Sequence, residues 1–99
     1  PSKTAPAVDR GATIVEVFNN SGVTGLAART SGKAKAAGWK VTGSGNWYGT
    51  IPSTTVYYPP KLKRAAKLLA RDLGIGRLMP AVDPMRMDRL TVILTSDYQ

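Results

Sequence analysis

The feature that most restricts this chain is a double alternation of period. Twice, a β-prone run gives way to an apolar stripe at helical spacing, and each stripe closes on a glycine. Residues 12–18 (Ala-Thr-Ile-Val-Glu-Val-Phe) are rich in β-branched side chains and carry one charge, Glu16, as a central strand would. The turn formers Asn19, Asn20, Ser21 and Gly22 end the run. From Val23 the period becomes helical, through Leu26, Ala27, Thr30, Ala34 and Ala37, and Gly38 is placed to end the helix in the left-handed region. The second round is plainer. Residues 54–58 (Thr-Thr-Val-Tyr-Tyr) read as a strand, Pro59 and Pro60 stop it, and Leu62, Ala65, Ala66, Leu69 and Leu73 line one helical face before Gly74.

Residues 39–42 add a short strand after the first helix, and residues 90–94 (Leu-Thr-Val-Ile-Leu) supply the last one. Residues 43–49 read as a loop. Residues 75–89, broken by Pro80 and Pro84, read as irregular. The order is β-α-β-β-α-β. Right-handed crossovers let the two halves interlock as an α+β two-layer sandwich, ferredoxin-like, with a four-stranded sheet and both helices on one face. That arrangement puts the first and third strands in the centre.

Ninety-nine residues suit one domain. We place it at residues 12–98, with residues 1–11 as a flexible tether, since residues 1–7 have a linker's composition. The chain lacks an initial Met and reads as a piece of something longer; a signal peptide or membrane anchor would then lie outside it.

The chain has neither Cys nor His. That removes Cys and His metal sites, the Cys nucleophile and the Ser-His dyad. The six acids, Asp9, Glu16, Asp72, Asp83, Asp88 and Asp97, stand singly and suggest no paired-carboxylate site. No catalytic residue, metal or cofactor is expected. Fourteen Lys and Arg against the six acids give a net charge of +8. Such a field favours an anionic partner (nucleic acid, membrane surface or acidic polysaccharide), unless it serves solubility alone.

Two glycine patterns fail on inspection. Gly43-Ser-Gly45-Asn-Trp-Tyr-Gly49 misses the dinucleotide fingerprint by one residue, and Ile51-Pro52 follows where a helix should begin. Gly32-Lys33 is followed by Ala34, where a phosphate loop needs Ser or Thr. The turn at residues 19–25 is a better candidate. It joins a strand end to a helix start, so Ser21, Gly22 and Thr24 could hold an anion at the helix's positive end, or Ser21 or Thr24 could simply cap the helix.

Among the aromatics, Phe18 and Trp39 are expected in the core, and Tyr57 and Tyr58 point to opposite faces of their strand. Trp47 and Tyr48 sit in a Gly-rich loop, where they either stack on sugars or bases or pack back onto the sheet. Lys63, Arg64, Lys67 and Arg71, with Lys61, form a basic ridge offset by Asp72 alone, so nothing of opposite sign laces that face. The ridge and the Trp47–Tyr48 loop are the candidate polymer-binding surfaces.

The pieces together resemble the LytR C-terminal domain family. Ile14-Val-Glu-Val-Phe-Asn19 followed by Ser21-Gly-Val-Thr-Gly-Leu-Ala-Ala-Arg29 is similar to the family's opening strand and helix start. Ala36-Ala-Gly-Trp39, Gly45-Asn46, Thr55-Val-Tyr-Tyr58 and Ser96-Asp-Tyr98 follow in the family's order. The resemblance implies an accessory domain outside the membrane of actinobacteria and other Gram-positive bacteria. Such domains follow the catalytic domain of LytR-CpsA-Psr proteins, which ligate wall polymers to peptidoglycan, or stand alone behind an anchor. It implies a non-catalytic envelope module whose partner is wall glycan, peptidoglycan or such a ligase, with membrane contact only through an anchor. A competing reading is single-stranded nucleic acid binding on a ferredoxin-like sheet. It lacks the Lys/Arg-Gly-aromatic strand those modules use, so no nucleic acid partner is expected.

Overall fold

A computed structural model describes residues 8–83 and 85–98. Of the flexible tether expected at residues 1–11, residues 1–7 lie outside the described residues, as does Pro84 as a breaker, while Arg10 and Gly11 belong to a 3-10 turn capped by Asp9. The chain forms β1 (Ile14–Asn19), α1 (Leu26–Ala36), β2 (Lys40–Asn46), β3 (Thr55–Tyr58), α2 (Lys63–Leu73), β4 (Arg77–Pro80) and β5 (Leu90–Leu94). Short 3-10 turns at Arg10–Ala12 and Pro60–Leu62 precede β1 and α2.

The sheet has five strands in the order β2-β1-β5-β3-β4, so the expected four-stranded, ferredoxin-like description is corrected. The extra strand is β4, inside the stretch read as irregular. Gly74, at φ 73°, reverses the chain directly after α2, and Arg77–Pro80 then pairs parallel with β3. The second half thereby completes its own β-α-β unit, as β1-α1-β2 does in the first. The last strand no longer has to finish that unit. It enters between the halves, parallel to β1 and antiparallel to β3, and takes the centre expected of β1 and β3. All five residues of β5 are buried, as the near-continuous apolar run demands.

Both helices lie on one face, as expected. Leu26, Ala27, Ala34, Ala66, Leu69 and Leu73 share a core with Val15, Val17, Val56, Val92 and Leu94 from the sheet. The alanines let both helices approach the strands closely. Trp39 joins this core as expected. The opposite face has its own small cluster, in which Tyr57, Met85 and Ile93 are packed by Phe18, Trp47, Ile51 and Ala81.

Two boundaries moved by three residues or more. α1 begins at Leu26 and not at Val23, because Gly22 and Gly25 have φ of 77° and 82° and hold Val23 and Thr24 in a turn. β2 continues through residues 43–46, read as loop, because its backbone pairs with Glu16 to Asn19 of β1. Gly43 and Gly45 lie against Glu16 and Phe18, where a Cβ would sit 3.9 and 3.7 Å from those side chains.

Candidate functional site

Outside the carboxyl ends of the parallel strands β1 and β2, the chain opens a cleft of about 650 Å³. This is where ligand crevices arise in such sheets, because strands end there and their loops diverge. One wall is the turn at residues 19–25, and the other is the loop at residues 46–49. Two candidates that the sequence presents separately thus face each other. Gly22 and Thr24 line the cleft with Trp47 and Tyr48, and Ser21 lies within the turn behind them.

Asparagines build both walls. Asn19 accepts the Ser21 N–H at 2.8 Å, donates its amide to the Val23 carbonyl at 2.8 Å and accepts the Ser21 hydroxyl. Ser21 Oγ in turn accepts the Val23 N–H at 2.9 Å. Ser21 therefore locks the turn and does not cap α1, whose N-cap is Gly25 with no side-chain bond. Asn20 reaches across the cleft floor, and its amide donates to the carbonyls of Trp47 and Gly49 at 2.8 and 3.0 Å. The bridging role of Asn20 escaped the sequence reading. Only the register that pairs Asn19 with Asn46 brings the two loops together.

The aromatic pair divides. Trp47 packs edge-on against Phe18, with centroids 5.5 Å apart, while Tyr48 is 85% exposed at the cleft mouth. No charged side chain lines the cleft among the described residues. Its surface is amide, hydroxyl, backbone and aromatic, which suits uncharged hydroxyl-rich or amide-bearing ligands.

The basic ridge lies apart, on the outer side of α2. Lys61, Lys63, Arg64, Lys67 and Arg71 are all exposed, and none of them lines the cleft. Asp72 feels the charge of Arg71, but its hydrogen bonds go elsewhere. Its carboxylate accepts from Arg10 at 3.0 and 3.2 Å and from the Trp39 indole N–H at 2.7 Å. The Arg10 bond, more than any other contact, holds the Asp72 carboxyl below the usual carboxylate range. Asp72 is a clamp between the turn before β1, the end of α1 and α2. Lys61, Lys63, Lys67 and Arg71 form no ion pair among the described residues, so the ridge keeps its charge. No group of three or more potential metal ligands occurs among the described residues.

The closing Ser96-Asp-Tyr98 segment is structural. Asp97 accepts from the Thr54 hydroxyl at 2.6 Å, from the Thr54 N–H at 3.1 Å and from the Thr95 hydroxyl. The Tyr98 hydroxyl donates to the Leu73 carbonyl at the end of α2, 2.7 Å away, and Lys33 sits over its ring.

Comparison with known proteins follows this architecture closely. A family model described as LytR cell envelope-related transcriptional attenuator matches residues 12–98. The chain belongs to this LytR C-terminal family. A Mycobacterium tuberculosis protein named vesiculogenesis and immune response regulator is 38% identical over 78 residues, covering 78% of this chain and 45% of that protein. The chain therefore spans less than half the length of this relative. The solution structure of the C-terminal domain of RV0431 superposes with a TM-score of 0.61 at 34% identity, covering 96% of this chain and 81% of that one. A crystal structure of the soluble domain of a conserved hypothetical secreted protein from Mycobacterium marinum superposes with a TM-score of 0.70. It covers 92% of this chain and 64% of that one at 23% identity, a likeness of fold. The LytR C-terminal motifs now have positions: the Asn19 to Arg29 segment builds one cleft wall and α1, and the Ser96 to Tyr98 segment fastens the C-terminal end.

Proposed function

We propose that this domain is a non-catalytic, extracytoplasmic cell-envelope module that holds wall polymer, peptidoglycan or the anionic glycan attached to it, and so supports wall assembly. Membership of a cell envelope-related family sets the context. The secreted character of the Mycobacterium marinum fold relative accords with a location outside the membrane. The observation that carries the reading is the cleft, where an exposed aromatic residue shares the lining with uncharged hydrogen-bonding groups, the combination a saccharide site uses. The ridge on α2 supplies a second contact, for the anions of the same polymer. A LytR-CpsA-Psr ligase working on that polymer is the protein partner this role implies.

Cosedimentation with purified wall polymer tests it, at low salt and at high salt. The two surfaces separate by ionic strength, because ridge contacts are screened and stacking is not. Tyr48→Ala is expected to weaken the salt-resistant binding about threefold to tenfold without changing the fold, since the ring is exposed. Failure of every wall fraction to retain the domain at low salt would overturn the proposal.

The RNA-recognition reading finds no support in this sheet. Those modules stack bases on open aromatics of the helix-free face. Here Tyr57, the aromatic of β3 on that face, is 8% exposed and packed against Met85 and Ile93.

A further inference from the structure

The sheet's two edges are not alike. β4 is four residues long and ends in Pro80, and Arg77 on it donates to Thr55 at 2.7 Å. Short length and proline are the usual means of closing an edge to further pairing. β2 is seven residues long, contains no proline, and has no strand on its outer side among the described residues. Its one irregularity is a shift of register at Thr42, after which residues 43–46 run regularly. Half of its backbone donors and acceptors therefore face outward.

Beside this edge runs a groove of about 140 Å³ between β2 and α1, lined by Ser31, Lys35, Val41, Thr42, Gly43 and Ser44. Two of these residues are unexplained by the chain's own contacts. Ser31 is 7% exposed, yet its hydroxyl has no hydrogen-bond partner among the described residues. A hydroxyl buried that way costs stability unless something satisfies it. Lys35, one helical turn on, is exposed and forms no ion pair among the described residues. Lys40 begins the strand, also exposed and unpaired in the same sense. An open edge and the cation of Lys35 thus meet at one groove, with Lys40 at the start of the same strand.

We propose that this groove takes up an extended acidic segment of a protein partner as a sixth strand alongside β2. Main-chain bonds to the β2 edge supply affinity, as in other cases of strand addition, and the side chains of alternate residues supply specificity. An acidic side chain of the incoming strand meets Lys35, and its neighbours on the same face lie over Thr42 and Ser44. The chain's net charge of +8 favours an acidic partner at encounter. This surface is separate from the cleft and from the ridge, since none of its residues belongs to either.

The test is a random twelve-residue peptide display library panned on the 99-residue chain, followed by binding and amide-exchange measurements on the selected peptides. Selected sequences should be enriched in acidic and β-branched residues, and their binding should slow exchange at outward-facing amides of β2. Lys35→Glu should weaken them about fivefold or more. Ser31→Ala should leave thermal stability unchanged or raised, because an unsatisfied buried hydroxyl is removed. Protection confined to β4 or the cleft would overturn the proposal, as would affinity indifferent to Lys35→Glu or a library yielding no binder above background. Lys35→Glu should leave Tyr48-dependent retention on wall polymer intact at high salt, so this proposal and the polymer-binding reading fail separately.

Discussion

Asp97→Ala is expected to destabilise the fold by about 2–4 kcal/mol, an effect on the order of a third of a small domain's total stability. The carboxylate lies near the surface, but the groups it serves do not. Thr54 and Thr95 are buried, and the Thr54 hydroxyl also accepts the Thr95 N–H at 2.9 Å. Removing Asp97 takes the acceptor from the Thr54 N–H and leaves the two hydroxyls, 3.3 Å apart, only each other and the Thr95 N–H, at the place where β3 begins beside the end of β5. Asp97→Asn keeps one acceptor oxygen and should lose less. Urea unfolding measures both, and a shift in midpoint at constant slope is the expected form. A loss below about 0.5 kcal/mol in Asp97→Ala would show that the network contributes no more than ordinary surface bonds.

The same carboxylate ties stability to pH. The Thr54 hydroxyl first, and then the Thr95 hydroxyl, hold Asp97 below the usual carboxylate range, and Arg10 does the same for Asp72. Both groups therefore have folded-state pKa values below their unfolded ones. Their contribution is complete above the unfolded value of about 4 and is lost as pH falls through the lower, folded values. The urea midpoint should hold steady down to about pH 5 and then fall, with the fall shallower in Asp97→Asn.

Reversing Lys67 and Arg71 to Glu together is expected to reduce retention on anionic wall polymer about tenfold or more at low salt, with folding nearly unchanged. Both side chains are exposed on α2, opposite Ala66, Leu69 and Leu73, so neither reversal disturbs the core. From Lys63 to Arg71 the ridge spans roughly 12 Å at 1.5 Å per residue, room for several regularly spaced anions. Each exposed charge contributes little alone, so binding should be collective and decline steeply with added salt. The double reversal changes the ridge's charge by four units while leaving Asp72 in its clamp. Salt titration of cosedimentation separates this term from Tyr48. A folded double variant that binds the polymer as well as the parent chain at low salt would remove the ridge from the site.

Much of this was legible in residues alone. The stripe Leu62 to Leu73 defined α2, the apolar run 90–94 defined a buried strand, and the ordered motifs from Ile14 to Tyr98 led to the family. Those signals are local: a helical period, a β-branched run and a glycine after a helix each act within a few residues. Strand order is not local. Residues 77–80 (Arg-Leu-Met-Pro) carry little strand propensity, and they pair because Gly74 returns the chain beside β3. Residues 43–46 are poor strand formers by composition, and they pair because β1 presents Glu16 to Asn19 in register beside them.

The candidate residues divide along the same line. The sequence determined which side chains carry charge or aromatic surface: a cationic helix face at Lys63, Arg64, Lys67 and Arg71, an aromatic pair at Trp47 and Tyr48, and a polar turn at residues 19–25. Only the tertiary structure decided their company. It joined the turn to the aromatic loop through the parallel register of β1 and β2, turned Trp47 inward onto Phe18 and left Tyr48 outside. It also directed the hydrogen bonds of Asp72 away from the ridge, to Arg10 and Trp39, residues 62 and 33 positions away in the chain. Propensity and period are properties of neighbours in sequence, whereas hydrogen-bond partners and clefts belong to segments that meet only when the sheet closes.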